Sequence, residues 1–217
     1  MLSVVIICSQ PVSKTPRRGL DGEGSFWGMG IMYREPDTLP GIQVITAKFY
    51  VDDRGFLLQS WVEQDLKALG IPTEFKQAIQ THSKKGVVRG LHFQWAPPMG
   101  KFVRCIHGAI IDVVVDVRHG SPTLGDHTAV ELSDRNHQII WVPPGFAHGT
   151  VALTDDAIVL YECSSAHGVG GEGGIRWDDP ALGIDWPSIP PIVSDKDRQA
   201  PTLKEWLADP RSQHFRF

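Results

Sequence analysis

Apolar and polar residues alternate along most of the chain in short runs cut by Gly, Pro and Asp, a pattern that predicts strands joined by tight turns. Residues 42–50 read as a first strand, and Asp52-Asp-Arg-Gly55 as the turn that follows. Residues 62–69 predict a short helix ended by Gly70 and Pro72. Further strands are expected at 87–95, 102–118, 128–132, 138–142, 150–153 and 158–163, with a closing helix at 203–208. Many short strands between such turns indicate a sandwich or a barrel. The run 109–117 is almost wholly apolar, as in a strand buried on both faces beneath a partner sheet. Asp112 and Asp116 interrupt it on one face by period-two counting. A buried carboxylate needs a partner, so at least one of them should meet a His, Arg or Lys. Asp112, mid-strand, is expected to point inward, while Asp116 reads equally well as a rim charge.

Residues 1–40 break this pattern, being rich in Ser, Pro, Gly and Arg without lasting periodicity. They read as an N-terminal extension or as upstream sequence from an early start codon, with Met29 or Met32 as alternative starts. The domain proper is then 41–217. The apolar stretch Met1–Cys8 lacks a basic leader and makes a poor signal peptide. The overall composition, 41% apolar and 21% charged, is that of a soluble globular protein. A net charge of −4 argues against nucleic-acid or membrane partners, and no apolar run reaches membrane-spanning length. Cys8, Cys105 and Cys163 show no paired spacing, which suits a reducing cytoplasm.

Two clusters carry candidate chemistry. One is Arg89-Gly-Leu-His-Phe-Gln94; the other is Pro143-Pro-Gly-Phe-Ala-His148, which resembles the second cupin motif. Metal-binding cupins pair that motif with H-x-H and a Glu. Here Gln94 stands where the second imidazole would be, so His92 and His148 make a poor divalent-metal site and no metal is expected. Arg89 and His92 are three apart, which on a regular strand sends them to opposite faces. A bulge or kink at Gly90 is therefore expected.

Gly86-Val-Val-Arg-Gly-Leu-His-Phe-Gln, Gly100-Lys-Phe-Val-Arg-Cys, Asp112-Val-Val-Val-Asp-Val-Arg with Ser121-Pro-Thr-Leu-Gly, and Val142-Pro-Pro-Gly-Phe-Ala-His-Gly follow in order. The tail Gly174-Ile-Arg-Trp-Asp-Asp-Pro, Ile184-Asp-Trp-Pro and Ser194-Asp-Lys-Asp continues the series. Over about Gly41 to Leu207 the chain resembles the dTDP-4-dehydrorhamnose 3,5-epimerase family. The resemblance implies an all-β, cupin-type jelly-roll β-barrel with short peripheral helices, a homodimer without cofactor, and a nucleotide-diphosphate sugar as substrate. It implies His92 as catalytic base, Asp197 as the carboxylate orienting it, and Tyr161 as the opposing acid. Arg54, Arg89, Lys101, His148, Glu172 and Lys196 fall on its ligand-contacting positions.

The chemistry fits these residue types. A hydrogen α to a ketone is removed only if the enolate is stabilised, and a neutral imidazole suits the base role near neutral pH. A carboxylate on its other nitrogen fixes the tautomer. Lys101 suits the developing oxyanion, where a single donor is worth roughly 2.7–4 kcal/mol in other enzymes. Arg89 and Lys196 suit a diphosphate.

Departures from the family cluster around the nucleotide. Gln59 replaces a Glu, Leu57 an aromatic, and Ile79, in the segment from Gln77, an Asn; Ala166-His167 replaces a tyrosine pair. Gln59, Gln77 and His167 join the candidate substrate contacts, His167 as a residue able to stack on a base. Either the base differs, a CDP-linked sugar being one candidate, or the pocket tolerates drift. Which of carbons 3 and 5 is inverted stays open. The competing readings are a metal cupin and a non-catalytic cupin that binds a sugar nucleotide.

Overall fold

The computed structural model describes residues 6–7, 33–34, 39–47, 49–168 and 170–217. The extension expected over 1–40 and the apolar stretch at its start lie, apart from 6–7, 33–34 and 39–40, outside the described residues, as does Cys8. Fifteen strands are present among the described residues. They are β1 (Ile6–Ile7), β2 (Tyr33–Arg34), β3 (Gln43–Thr46), β4 (Phe49–Asp52), β5 (Gly55–Leu58), β6 (Gln77–Ser83), β7 (Val87–Gln94) and β8 (Lys101–His107). After these come β9 (Ala109–Asp116), β10 (His127–Ser133), β11 (Gln138–Val142), β12 (Phe146–Ala152), β13 (Ala157–Cys163), β14 (Glu172–Gly174) and β15 (Ile192–Val193). The short helices are α1 (Glu63–Ala68), α2 (Asp195–Arg198) and α3 (Leu203–Ala208).

Two sheets face each other as a jelly-roll barrel. The first runs β1-β10-β9-β12-β7, with β14 and β15 both on the free edge of β7; the second runs β2-β3-β11-β8-β13-β6. Strands β4 and β5 pair only with each other, as a separate hairpin. Between the sheets Val44, Val103, Ile110, Val114 and Ile140 form an apolar core. Burying a side chain of this kind contributes about 1.5–3 kcal/mol, which favours closure of the barrel.

Three expectations are corrected. The single strand over 42–50 is two, because after Thr46 the chain leaves the second sheet to form the β4–β5 hairpin. The single strand over 102–118 is also two, β8 in the second sheet and β9 in the first. The chain crosses between sheets at Gly108, whose φ of +71° suits glycine and whose N–H donates to Asp134 Oδ2 at 2.8 Å. Finally, β9 is buried on both faces without a partner sheet. Its outer face (Val113, Val115) packs against Leu182, Leu203, Trp206 and Phe215 of the chain's own C-terminal segment. Helix α3, where it was expected, opens with Thr202 accepting from the Glu205 N–H while Glu205 caps Thr202 in return. Trp206 then lies 4.6 Å, centroid to centroid, from Phe93. Helix α1 does the same for the second sheet, pressing Leu66 onto Ile45 and Trp141.

Candidate functional site

The expected irregularity at Gly90 is present and organises the site. His92 pairs in register with His148 of β12, and Arg89 with Thr150, so Gly90 and Leu91 together face Gly149. Gly90 has φ +126°, and a Cβ there would lie 2.5 Å from the Gly149 Cα. Only glycine fits so close an approach in that conformation. The bulge turns Arg89 and His92 into the same cavity while Leu91 stays in the outer core. That cavity, of about 530 Å³, opens between β7 and β12 of the first sheet and β6 and β13 of the second.

His92 Nε2 lies 2.6 Å from Asp197 Oδ1. Asp197 arrives on α2, whose start is capped by Ser194, and β15 docks that segment against Val87 and Val88. Burial raises the Asp197 carboxyl, but the bonds and charge of His92, the Ser194 hydroxyl and the Gly90 N–H outweigh it and hold the group below the usual carboxylate range. The carboxylate is thus ionised and aimed at one ring nitrogen. Lys101 Nζ donates to the His92 carbonyl at 3.4 Å. Burial pushes Lys101 below the usual ammonium range, against the pull of Cys163, Asp112 and Glu172.

A second imidazole–carboxylate pair lies alongside, with His148 Nε2 2.8 Å from Asp112 Oδ2 and both side chains buried. Asp112 therefore points inward and has the partner its burial requires. Burial lowers the pKa of His148 despite Asp112, with Lys101 and His92 adding to the effect. Asp116 is equally buried, not at the rim, and is held by Arg118, Ser121 and Thr123. Tyr161 faces these groups from the opposite sheet, its ring 6.1 Å from that of His148. Burial pushes its phenol up to about 12, so it rests protonated.

Of the remaining expected contacts Lys196 lines the cavity, its Nζ 3.2 Å from Glu172 Oε1, and Glu172 Oε2 is 3.3 Å from His167 Nδ1, neither Glu172 nor His167 being a lining residue. The His167 N–H donates to Gln77 Oε1 at 2.8 Å, and Gln77 lines a separate depression with Trp61, Phe75 and Glu162, not this cavity. Arg89 donates to Ser83 Oγ and to the His82 carbonyl. Gln94, where a metal cupin has its imidazole, instead donates to the Ala166 carbonyl and accepts from the Gly168 N–H, bracing the segment that follows β13. Arg54 and Gln59 are not brought to the cavity. They belong to the exposed β4–β5 hairpin and the residue after it, and Arg54 is paired with Asp52. Among the described residues no three His, Cys, Asp or Glu side chains are grouped to hold a metal ion. The cavity also contains Thr81 and Thr150, which were not singled out from the sequence. Thr150 shares a strand face with His148 two residues before it, a period-two signal that was there to be used.

The protein is thus a cupin-type jelly-roll barrel, with an imidazole held by a carboxylate on one sheet and a protonated tyrosine on the other facing the same cavity. The family model described as dTDP-4-dehydrorhamnose 3,5-epimerase matches residues 36–205. The chain belongs to this family of isomerases. It is 43% identical over 171 residues to the dTDP-4-dehydrorhamnose 3,5-epimerase of Methanothermobacter thermautotrophicus, covering 77% of this chain and 92% of that one. A solved dTDP-6-deoxy-D-glucose-3,5-epimerase from Legionella pneumophila, in complex with dTDP-4-keto-L-rhamnose, superposes with a TM-score of 0.81 at 37% identity. That match covers 86% of this chain and 98% of the other. A 3'-monoepimerase from Streptomyces bikiniensis, in complex with dTDP-quinovose, gives a TM-score of 0.74 at 34% identity, covering 77% and 86%.

Proposed function

We propose that this epimerase inverts carbon 3, carbon 5 or both of a dTDP-linked 4-keto-6-deoxyhexose through an enolate, with His92 as base and Tyr161 as acid. The observation that carries the reading is the placement of these two groups on facing sheets across one cavity. Inversion requires a proton to leave one face of the sugar and another to arrive on the opposite face. Asp197 holds the proton on His92 Nε2, leaving the other ring nitrogen free to abstract. Lys101 stabilises the enolate oxygen. Tyr161 then protonates the carbon and the ketone re-forms; His92 loses its proton to solvent and the Tyr161 phenolate takes one from it. The sequence is redox-neutral and needs no cofactor. Arg89 and Lys196 bind the diphosphate, and Glu172, His167, Gln77 and His148 complete the contacts.

The homodimer is supported by the β4–β5 hairpin, which exposes Phe49, Val51, Phe56 and Leu57. Arg54 and Gln59 belong to that same segment as candidate substrate contacts. Among the described residues no helix is long and apolar enough to cross a membrane, and Cys105 and Cys163 are unpaired, which agrees with a cytoplasmic enzyme. A second reading, a CDP-linked sugar, rests on Ile79 lining the cavity at the position where the family resemblance implies a ligand-contacting Asn, so that one polar contact to the ligand is changed.

The test is NMR of the sugar protons in deuterated water with the dTDP- and CDP-linked 4-keto-6-deoxyglucoses. The expected result is exchange at carbon 3 or 5 of the dTDP sugar, abolished by His92→Ala. Exchange with the CDP sugar alone would transfer the proposal to that nucleotide. No exchange with either, in folded protein, would leave a binding module.

A further inference from the structure

A tyrosine that gives up its proton inside a barrel leaves a phenolate in a place where burial disfavours charge. What surrounds the phenol therefore decides whether it can act. Its hydroxyl neighbours come one from each sheet. Thr81 lies on β6 in register with Val159, so it shares a face with Ile79, the register partner of Tyr161. Thr150 lies on β12, two residues beyond His148, and both line the cavity. Thr81, Thr150 and Tyr161 line the same cavity, and both hydroxyls pull the phenol pKa down against the effect of burial. Thr81 Oγ1 is nonetheless buried without a completed hydrogen bond among the described residues. A buried hydroxyl is costly to leave unpaired. The cost is recovered if its acceptor forms only during the reaction, and a phenolate is a stronger acceptor than the resting phenol.

We propose that Thr81 and Thr150 are positioning residues for Tyr161, a pair of hydroxyl donors that turn onto its oxygen as it becomes a phenolate. The proposal rests on Tyr161 being the acid of the epimerisation. In that step the O–H bond of the phenol breaks and its electron pair stays on oxygen. The enolate pair forms the new C–H bond while the ketone C=O is restored. Nothing is oxidised or reduced, and the phenolate afterwards takes a proton from solvent water. The two hydroxyls act as an oxyanion hole built for the enzyme's own acid.

Abstraction and delivery can be read separately, because His92 is partly open to solvent and can exchange the proton it has taken. The experiment uses dTDP-4-keto-6-deoxyglucose in deuterated buffer and measures two rates by NMR. One is inversion; the other is deuterium uptake into sugar that has not inverted. Thr81→Val and Thr150→Val keep the side-chain shape and remove the donor. Each is expected to slow inversion by about 10²-fold, the scale of losing one preorganised donor. Deuterium uptake into uninverted sugar should continue at close to the wild-type rate. Thr81→Ser and Thr150→Ser should restore inversion. Equal loss of both rates, wild-type inversion in the valine variants, or failure of serine to rescue would each overturn the assignment. A folded wild-type protein that neither inverts nor exchanges this substrate would instead overturn the epimerase reading beneath it.

Discussion

Replacing Asp197 by Asn tests the centre of the mechanism, because it removes one charge and almost no volume. The amide can still accept from His92, but the imidazolium formed during abstraction loses its counter-ion. Opposite charges about 4 Å apart attract by on the order of 4 kcal/mol at an effective dielectric of ~20. The His92 side chain is 38% exposed, so water screens part of this. Taking roughly half leaves ~2 kcal/mol, or about 30-fold in rate. The amide can also turn its NH₂ group toward the ring and leave the proton on the nitrogen that must abstract. In a Ser-His-Asp triad that change costs about 10⁴-fold. Asp197→Asn is therefore expected to lower kcat by between about 30-fold and 10⁴-fold with little change in KM. The assay is initial-rate NMR or coupled kinetics on the dTDP sugar, with thermal unfolding as the control for folding. A loss under about 5-fold, or one carried by KM, would refute the charge argument. Stability offers a second readout. The folded-state pKa of Asp197 is depressed, so its contribution is present above the ordinary carboxylate pKa and lost as pH falls through the folded value. Between about pH 5 and pH 3 the variant should lose less stability than the wild type.

Two further outcomes follow from the geometry around the site. Gly90→Ala places a methyl 2.5 Å from the Gly149 Cα and 2.8 Å from the His148 carbonyl, at a φ that side chains rarely adopt. The backbone conformation alone costs about 1–3 kcal/mol, so Tm should fall by roughly 5 °C or more, and activity should fall further because both His92 and His148 shift; an unchanged Tm would refute the bulge. The buried His148 has a lowered folded-state pKa, so its neutral form is favoured on folding and stability is lost as pH falls below about 6.5. His148→Gln should flatten that part of the Tm-against-pH curve, and an unaltered slope would show that His148 titrates normally.

Much of the barrel was legible because strand formation is a local property. Period-two alternation and the Gly, Pro and Asp turns marked β7, β10, β11 and β13 to within a residue or two. The three-residue spacing of Arg89 and His92 was enough to require a bulge at Gly90. Strand β6 escaped notice because it is an edge strand with most of its residues partly or fully exposed, so it carries no apolar alternation.

The sequence alone thus carried several of the barrel's strands, the bulge, the final helix and, through its motifs, the family and the residues to inspect. The tertiary structure decided which surfaces cover which. Residues 102–118 read as one strand, yet Gly108 sends its halves to opposite sheets, and the outer face of β9 is sealed by Trp206 and Phe215 from some ninety to a hundred residues further along. The partners of Asp112 and Asp116 were equally out of reach of pattern reading. So was the gathering of Thr81, Thr150 and Tyr161 into one cavity, while Arg54 and Gln59 remained outside it. The reason is physical: periodicity is set by backbone geometry over a few residues, whereas these contacts exist only once two sheets have closed on each other and buried their facing sides.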